Sequence, residues 1–177
     1  MKTPERYHPL LVALHWLMAL LVLMMLAVGR IVFPGLTDSS PDKVMILRTH
    51  MTIGLSLLVL VILRFIVRLT TPKPAPADAG NPTLNKIGVL THYLLYLFIL
   101  GMGISGLGIA MQAGLNPILS GQNAFLPEDL MVYPPYIGHG LTSWLLLGLI
   151  ALHFGAAMYH QFIRKDNLLS RMGFGRK

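Results

Sequence analysis

The sequence contains no cysteine. Disulfides, thiolate nucleophiles, iron–sulfur clusters and covalently attached c-type haem are therefore excluded. Charge is also scarce. Only 12% of the 177 residues are Asp, Glu, Lys or Arg, and 54% are hydrophobic, whereas about a quarter of an average soluble domain is charged. Four stretches carry no charge at all: 9–29, 49–63, 87–127 and 130–163. About 20 apolar residues cross the hydrocarbon core of a bilayer as a helix, so the chain reads as an integral membrane protein embedded in lipid. The first stretch is expected to be retained as a span. Its apolar core is longer than that of a signal peptide, and no A-x-A-like cleavage site precedes "RIVFPG".

Breakers divide the chain into an expected all-α bundle of four transmembrane helices in one domain over 1–177, at about 10–33, 42–69, 83–111 and 136–163. Pro34-Gly35 ends the first helix and Pro41 sits where the second begins. "TTPKPAPADAGNP" connects the second and third, with Thr83 as the expected N-cap. Asn116-Pro117, Pro127 and Pro134-Pro135 mark a longer connector before the fourth. The net charge of +7 follows topology. With both termini in the cytoplasm, Lys2, Arg6, Arg64, Arg68, Lys73, Lys86, Arg164, Lys165, Arg171, Arg176 and Lys177 lie inside. Only Arg30, Lys43 and Arg48 lie outside. Eleven against three obeys the positive-inside rule, so the basic surplus requires no nucleic acid.

Against this apolar background stand seven histidines. His8 precedes the first span and reads as a solvated interface residue. Ionisable residues within membrane helices are functional candidates, although one alone could simply hydrogen-bond a neighbour. His139 and His153 are 14 residues apart. That is close to four turns, so both rings leave one face of the fourth helix, roughly 21 Å apart along its axis. Topology puts His50 level with His139 in the outer half and His15 level with His153 in the inner half. Zinc or copper would gather three or four ligands at one locus. Two histidines at each depth suit axial ligation of a macrocycle that brings four nitrogens of its own, so two stacked haems are expected. A metal-bound imidazole also loses much of its burial penalty. His92 is level with His15 and is the alternative ligand there. The glycines of "GMGISGLG", with Gly54, Gly138 and Gly140, are compatible with close approach of helices or a porphyrin. A histidine-based proton or metal transporter is the non-redox alternative.

"LHW" in the first helix, "RTHMTIG" opening the second, the His139/His153 pair and "KDNLLSRM" after the fourth resemble the bacterial cytochrome b561 family over nearly the whole chain. The resemblance implies a four-helix cytochrome of the bacterial inner (cytoplasmic) membrane. It would hold two haem b groups on His15/His153 and His50/His139 and transfer electrons. Short stand-alone members include enzymes that pass electrons from periplasmic superoxide to ubiquinone, so a superoxide:quinone oxidoreductase is expected here. A membrane anchor and electron-carrier subunit for a partner dehydrogenase is the alternative. The connector over 112–135, which lacks Lys and Arg and carries Glu128 and Asp129, could cap the outer face or bind such a redox partner protein. Arg30, Lys43 and Arg48 could steer the small anion, or pair with haem propionates or lipid phosphates. On the inner side His160, Arg68, Arg64 and His92 are the quinone candidates. His160 is the expected proton donor, while Arg64 is slightly better suited to pairing with a propionate or snorkelling to the interface.

Overall fold

The computed structural model describes residues 3–37, 40–122, 126–127 and 129–173. Lys2, Arg176 and Lys177, counted above as inner bases, and Glu128 of the outer connector lie outside the described residues. Four helical stretches are long and apolar enough to cross a membrane: Pro9–Gly35, Asp42–Thr70, Pro82–Gln112 and Pro134–Arg164. Among the described residues there is no strand.

Proline opens each long helix. Its missing N–H is one that a first turn leaves unpaired anyway. Helix α1 (Pro9–Ala27) starts behind His8, whose Nδ1 accepts from the Leu10 amide at 3.3 Å. The residue expected to be merely solvated is thus an N-cap. Beyond Ala27 the helix widens into a π turn, Val28–Val32, and tightens into a 3₁₀ turn, Phe33–Gly35. Pro34 cannot donate back to the preceding turn, so a regular α-helix cannot run to Phe33. Helix α2 spans Pro41–Thr70. Thr49, Thr52, Ser56 and Thr70 each donate a hydroxyl to the carbonyl four residues earlier, which satisfies them where the surroundings offer no water.

Helix α3 (Pro82–Gln112) is capped by Asn81 rather than Thr83. The Asn81 Oδ1 accepts from the Thr83 amide at 2.8 Å, with Pro82 in the first position. Outside the span, Asp78 accepts from Asn85 and the Gly80 amide at 2.9 Å each, and the Asn85 bond above all holds its carboxyl below the usual range. The short helix α4 (Asn116–Leu119) lies in the next connector. Helix α5 (Pro134–Met158) takes up Pro134 and Pro135, and continues as a π turn, Tyr159–Arg164.

Backbone-close packing runs α1–α2, α2–α3 and α3–α5. Gly103 of α3 permits the second of these contacts. A Cβ there would lie 2.8 Å from the Leu58 Cδ1 and 3.1 Å from its Cβ. The mid-depth core is Met18, Val22, Leu26, Leu57, Val61 and Leu146, while large apolar side chains such as Leu20, Val59 and Leu97 point outward, as lipid-facing positions do. The two ends of the described chain meet, for the Tyr7 amide donates to the Arg171 carbonyl at 3.2 Å.

Overpacking a close helix contact costs about 1–3 kcal/mol. Gly103→Val is therefore expected to lower thermal stability in detergent. Leu58→Ala in the same background should recover most of the loss. A double mutant no better than Gly103→Val alone would mean that Leu58 is not the obstructing group.

Candidate functional site

Helices α1 and α2 approach α5 far less closely than α3 does. Across those two wider seams the histidines face one another in pairs. His15 on α1 meets His153 on α5 with ring centroids 6.1 Å apart and planes turned by 76°. His50 on α2 meets His139 on α5 at 6.3 Å and 64°. Between the two levels on α5 lies Leu146, 2% exposed. A metal–imidazole bond is about 2.0–2.1 Å and a ring atom lies about 1.2 Å from the ring centre, so two imidazoles on opposite sides of one metal would have centroids about 6.4–6.6 Å apart. Both pairs stand within a few tenths of an ångström of that value. Among the described residues no three His, Asp or Glu side chains converge on one point, so the donor set suits a metal that carries its other ligands with it.

The ring nitrogens bear on the same question. Ser105 donates its hydroxyl to the Met102 carbonyl at 3.1 Å and lies 3.0 Å from the His139 Nδ1. With its proton so committed, Ser105 accepts from Nδ1–H, and Nε2 keeps the lone pair a metal needs. Gly106 lets α3 lie against this ring, since a Cβ there would be 3.5 Å from the His139 Cε1. The His50 Nδ1 is buried with no hydrogen-bond partner, and an apolar cavity of about 230 Å³ lined by Met25, Val28, Ile53 and His50 opens beside it. Iron on Nδ1 would satisfy this atom, whereas iron on Nε2 would make it an N–H still in need of an acceptor.

The His15/His153 pair is more crowded. Arg64 donates to the Leu11 carbonyl at 2.7 Å and touches the His15 Nδ1 only at 3.4 Å. An arginine cannot accept, so metal ligation through Nε2, which puts the proton on Nδ1, would end the longer contact and leave the shorter one. His92 stands 5.0 Å from His153, ring to ring. That is closer than two rings separated by a metal, so His15 matches the axial spacing better than His92. The His92 Nδ1 donates to the Gly88 carbonyl at 2.7 Å, which leaves its Nε2 as an acceptor. Arg64 lies over the Tyr96 ring, 5.8 Å from its centre, and the Tyr96 hydroxyl is buried without a partner. Arg68 and Arg64 both lie within electrostatic reach of His92.

The remaining candidates lie elsewhere. His160 is buried in the π turn after α5, with Nδ1 2.5 Å from the Asp166 Oδ2. At the opposite end, Arg30 donates to the Gly140 carbonyl at 2.5 Å and to Ser143 Oγ, and stacks 4.2 Å above the Trp144 ring. It ties the end of α1 to α5. Arg48 is exposed, and its guanidinium packs against Gly121, whose φ of +77° and lack of Cβ let the connector close over it. Lys43 is half-buried and engaged. Ser105, Asp166 and Trp16, whose indole donates to the Met172 carbonyl at 2.8 Å, are contacts that sequence reasoning missed. Serine inside "GMGISGLG" was the one available signal. Asp166 follows His160 by six residues, a spacing that shares no helical face.

A family model described as prokaryotic cytochrome b561 matches residues 6–175. Cytochrome b561 homolog 2 of Escherichia coli (strain K12) is 30% identical over 180 residues, covering 96% of this chain and 92% of its own. The probable superoxide oxidase CybB of Yersinia pestis is 28% identical, over 95% of this chain and 96% of its own. Cytochrome b561 homolog 1 of Escherichia coli (strain K12) is likewise 28% identical, over 95% and 97%.

Hydrogen bonds to a charged group contribute about 1.5–3 kcal/mol each. Arg30→Ala, which removes both acceptors' partner and the stacking on Trp144, is expected to lower the detergent melting temperature. Ser143→Ala removes one acceptor and should give a smaller drop. Equal melting of Arg30→Ala and wild type would show that the tie carries no load.

Proposed function

The chain belongs to the prokaryotic cytochrome b561 family, and from that premise we propose that it is a two-haem cytochrome of the bacterial inner membrane that carries electrons from periplasmic superoxide to ubiquinone. Membership makes it a multi-pass membrane cytochrome that binds b-type haem and transfers electrons. The observation that carries the finer reading is the pair of axial spacings, 6.1 Å for His15/His153 and 6.3 Å for His50/His139, both bridging the seams where helices stand apart. We assign the first pair to an inner haem and the second to an outer one, with the meeting ends of the chain in the cytoplasm. The excess of Lys and Arg at that end supports the orientation. When bound, haem b would supply one-electron chemistry, and these four histidines would hold it, two to each iron.

What the chain itself contributes is position and charge. Ser105 orients His139, Gly106 admits its ring, and Leu146 with its neighbours keeps the space between the two levels apolar. Arg48 and Lys43 present positive charge at the outer end, where a small anion approaches. Arg30 adds to that field while its guanidinium stays bound to α5. Superoxide is the donor favoured by the name of the Yersinia pestis relative. Two superoxide anions give up one electron each and leave as dioxygen. Those electrons and two protons convert one ubiquinone to ubiquinol. Arg64, Arg68 and His92 border the inner pair, and His160 lies beyond it in the terminal turn. We assign these four to quinone binding and protonation.

Protein purified from haem-replete cells is expected to be red, with two haem b per chain by pyridine haemochrome. His50→Ala or His139→Ala should each remove the outer haem, and His15→Ala or His153→Ala the inner one. A colourless wild type would overturn the reading, and loss of the inner haem in His92→Ala but not His15→Ala would reassign that pair. Haem reduction by superoxide should slow with added salt, because the Debye length falls from about 30 Å at 0.01 M to about 10 Å at 0.1 M. Charge reversal at Lys43 and Arg48 should slow the same step with haem content unchanged. Failure of superoxide to reduce the wild type would instead favour an electron-carrier subunit docked to a partner dehydrogenase.

A further inference from the structure

The stretch after α5 is built in an unusual way. The helix widens into its π turn at Tyr159, and then Lys165 (φ 55°) and Asn167 (φ 56°) both take the left-handed conformation. Left-handed backbone is costly for a residue with a Cβ, and lysine has no special tolerance for it. Asp166 sits between the two. The double reversal folds its carboxylate back under the helix end, so that Oδ2 reaches the His160 Nδ1 at 2.5 Å and Oδ1 accepts from the Leu168 amide at 3.2 Å. The His160 side chain is 9% exposed and that of Asp166 30%. The carboxylate also lines a polar cavity of about 320 Å³ together with Glu5, Arg6, Asn167, Ser170 and Arg171. One acid therefore touches a buried imidazole on one side and solvent on the other. In the same turn the Gln161 Oε1 is buried without a hydrogen-bond partner.

We propose that Asp166 is a positioning residue for quinone protonation, acting through His160. The inference rests on the reading that ubiquinone is reduced at this end of the protein. A carboxylate only accepts, so it requires Nδ1–H on the ring and turns Nε2 away from itself. With Nδ1–H held by the carboxylate, Nε2–H is the proton that a doubly protonated ring is free to offer. This is the division of labour by which a carboxylate fixes the tautomer and orientation of a catalytic imidazole. The balance is complete. Two electrons arrive through the cytochrome, and His160 gives its Nε2 proton to a quinone oxygen as the carbonyl becomes a hydroxyl. The ring takes a proton back from water before it supplies the second oxygen's share. Asp78 and Arg164 also lie within electrostatic reach of this region, but Asp166 is the acid bonded to the ring.

Asp166→Asn separates this role from the structural one. The side-chain oxygen can still accept from the Leu168 amide, whereas the NH₂ now faces Nδ1 and forces the proton onto Nε2. In protein labelled with ¹⁵N-histidine, with the His160 signals assigned by their loss in His160→Gln, the wild-type ring should show Nδ1–H. The variant ring should show Nε2–H. Haem content and reduction by superoxide should match wild type. Stopped-flow reoxidation by ubiquinone-1 should slow by roughly a hundredfold or more, the scale of a misdirected general acid, and Asp166→Glu should restore part of the rate. A wild type that ubiquinone-1 does not reoxidise would remove the underlying reading. A wild type that is reoxidised, with an Asp166→Asn variant equally fast, would overturn the role of Asp166 alone. Should the variant lose haem, the wild-type spectrum decides, because a His160 ring without Nδ1–H contradicts the proposal.

Discussion

An imidazole held within the bilayer must find something to bind, and the architecture follows from that requirement. Helix α5 carries one ring at each of two depths on a single face. Its partner rings sit on α1 and α2, the helices that stand off from it. Were α1 or α2 to close on α5 as α3 does, the ring centres could not remain a little over 6 Å apart. The intervening apolar layer holds the separation. Met18 and Val22 of α1, Leu57 and Val61 of α2 and Leu146 of α5 fill the mid-depth core, so the seams stay wide at the histidine levels without a polar gap between them.

Polar ties hold the bundle at its two ends rather than in its middle, which is where water makes hydrogen bonding geometrically easy and hydrocarbon makes an unpaired group costly. At the end where the termini meet, Trp16 binds the Met172 carbonyl, Tyr7 the Arg171 carbonyl, and Arg171 the Ala75 carbonyl at 2.6 Å. Arg164 lies against Gly80, which has a φ of +78° and no Cβ to obstruct it. The N-terminal segment, the α2–α3 connector and the C-terminal turn are thereby joined. At the other end Arg30 reaches α5, and Arg48 supports the turn at Gly121.

The arginines illustrate how one residue type divides between structure and chemistry. Arg30 and Arg64 both donate to a backbone carbonyl of another helix, Gly140 and Leu11. A guanidinium has five donors and no acceptor, so it can hold a neighbouring helix and still present charge. Charge at the ends of α1 and α2 therefore persists as a field even where the side chain is a strut.

The helices were legible in the sequence because hydrocarbon leaves a backbone little alternative, and because Pro34, Pro41, Pro82 and Pro134 punctuate the runs. The matching depth of the histidines was legible too, since it depends only on helical rise and the direction of each span. Local detail was less so. Asn81 rather than Thr83 caps α3, and Pro134 starts α5 instead of preceding it. Both reflect competition among adjacent capping residues that sequence spacing leaves undecided. The sequence by itself thus determined four spans, their alternation and which imidazoles share a level. Tertiary structure alone decided that α1 and α2 stand apart from α5, that Ser105 directs His139, and that Asp166 turns back to His160. Those outcomes depend on packing between distant segments and on left-handed residues in a turn, and neither leaves a periodic trace along the chain.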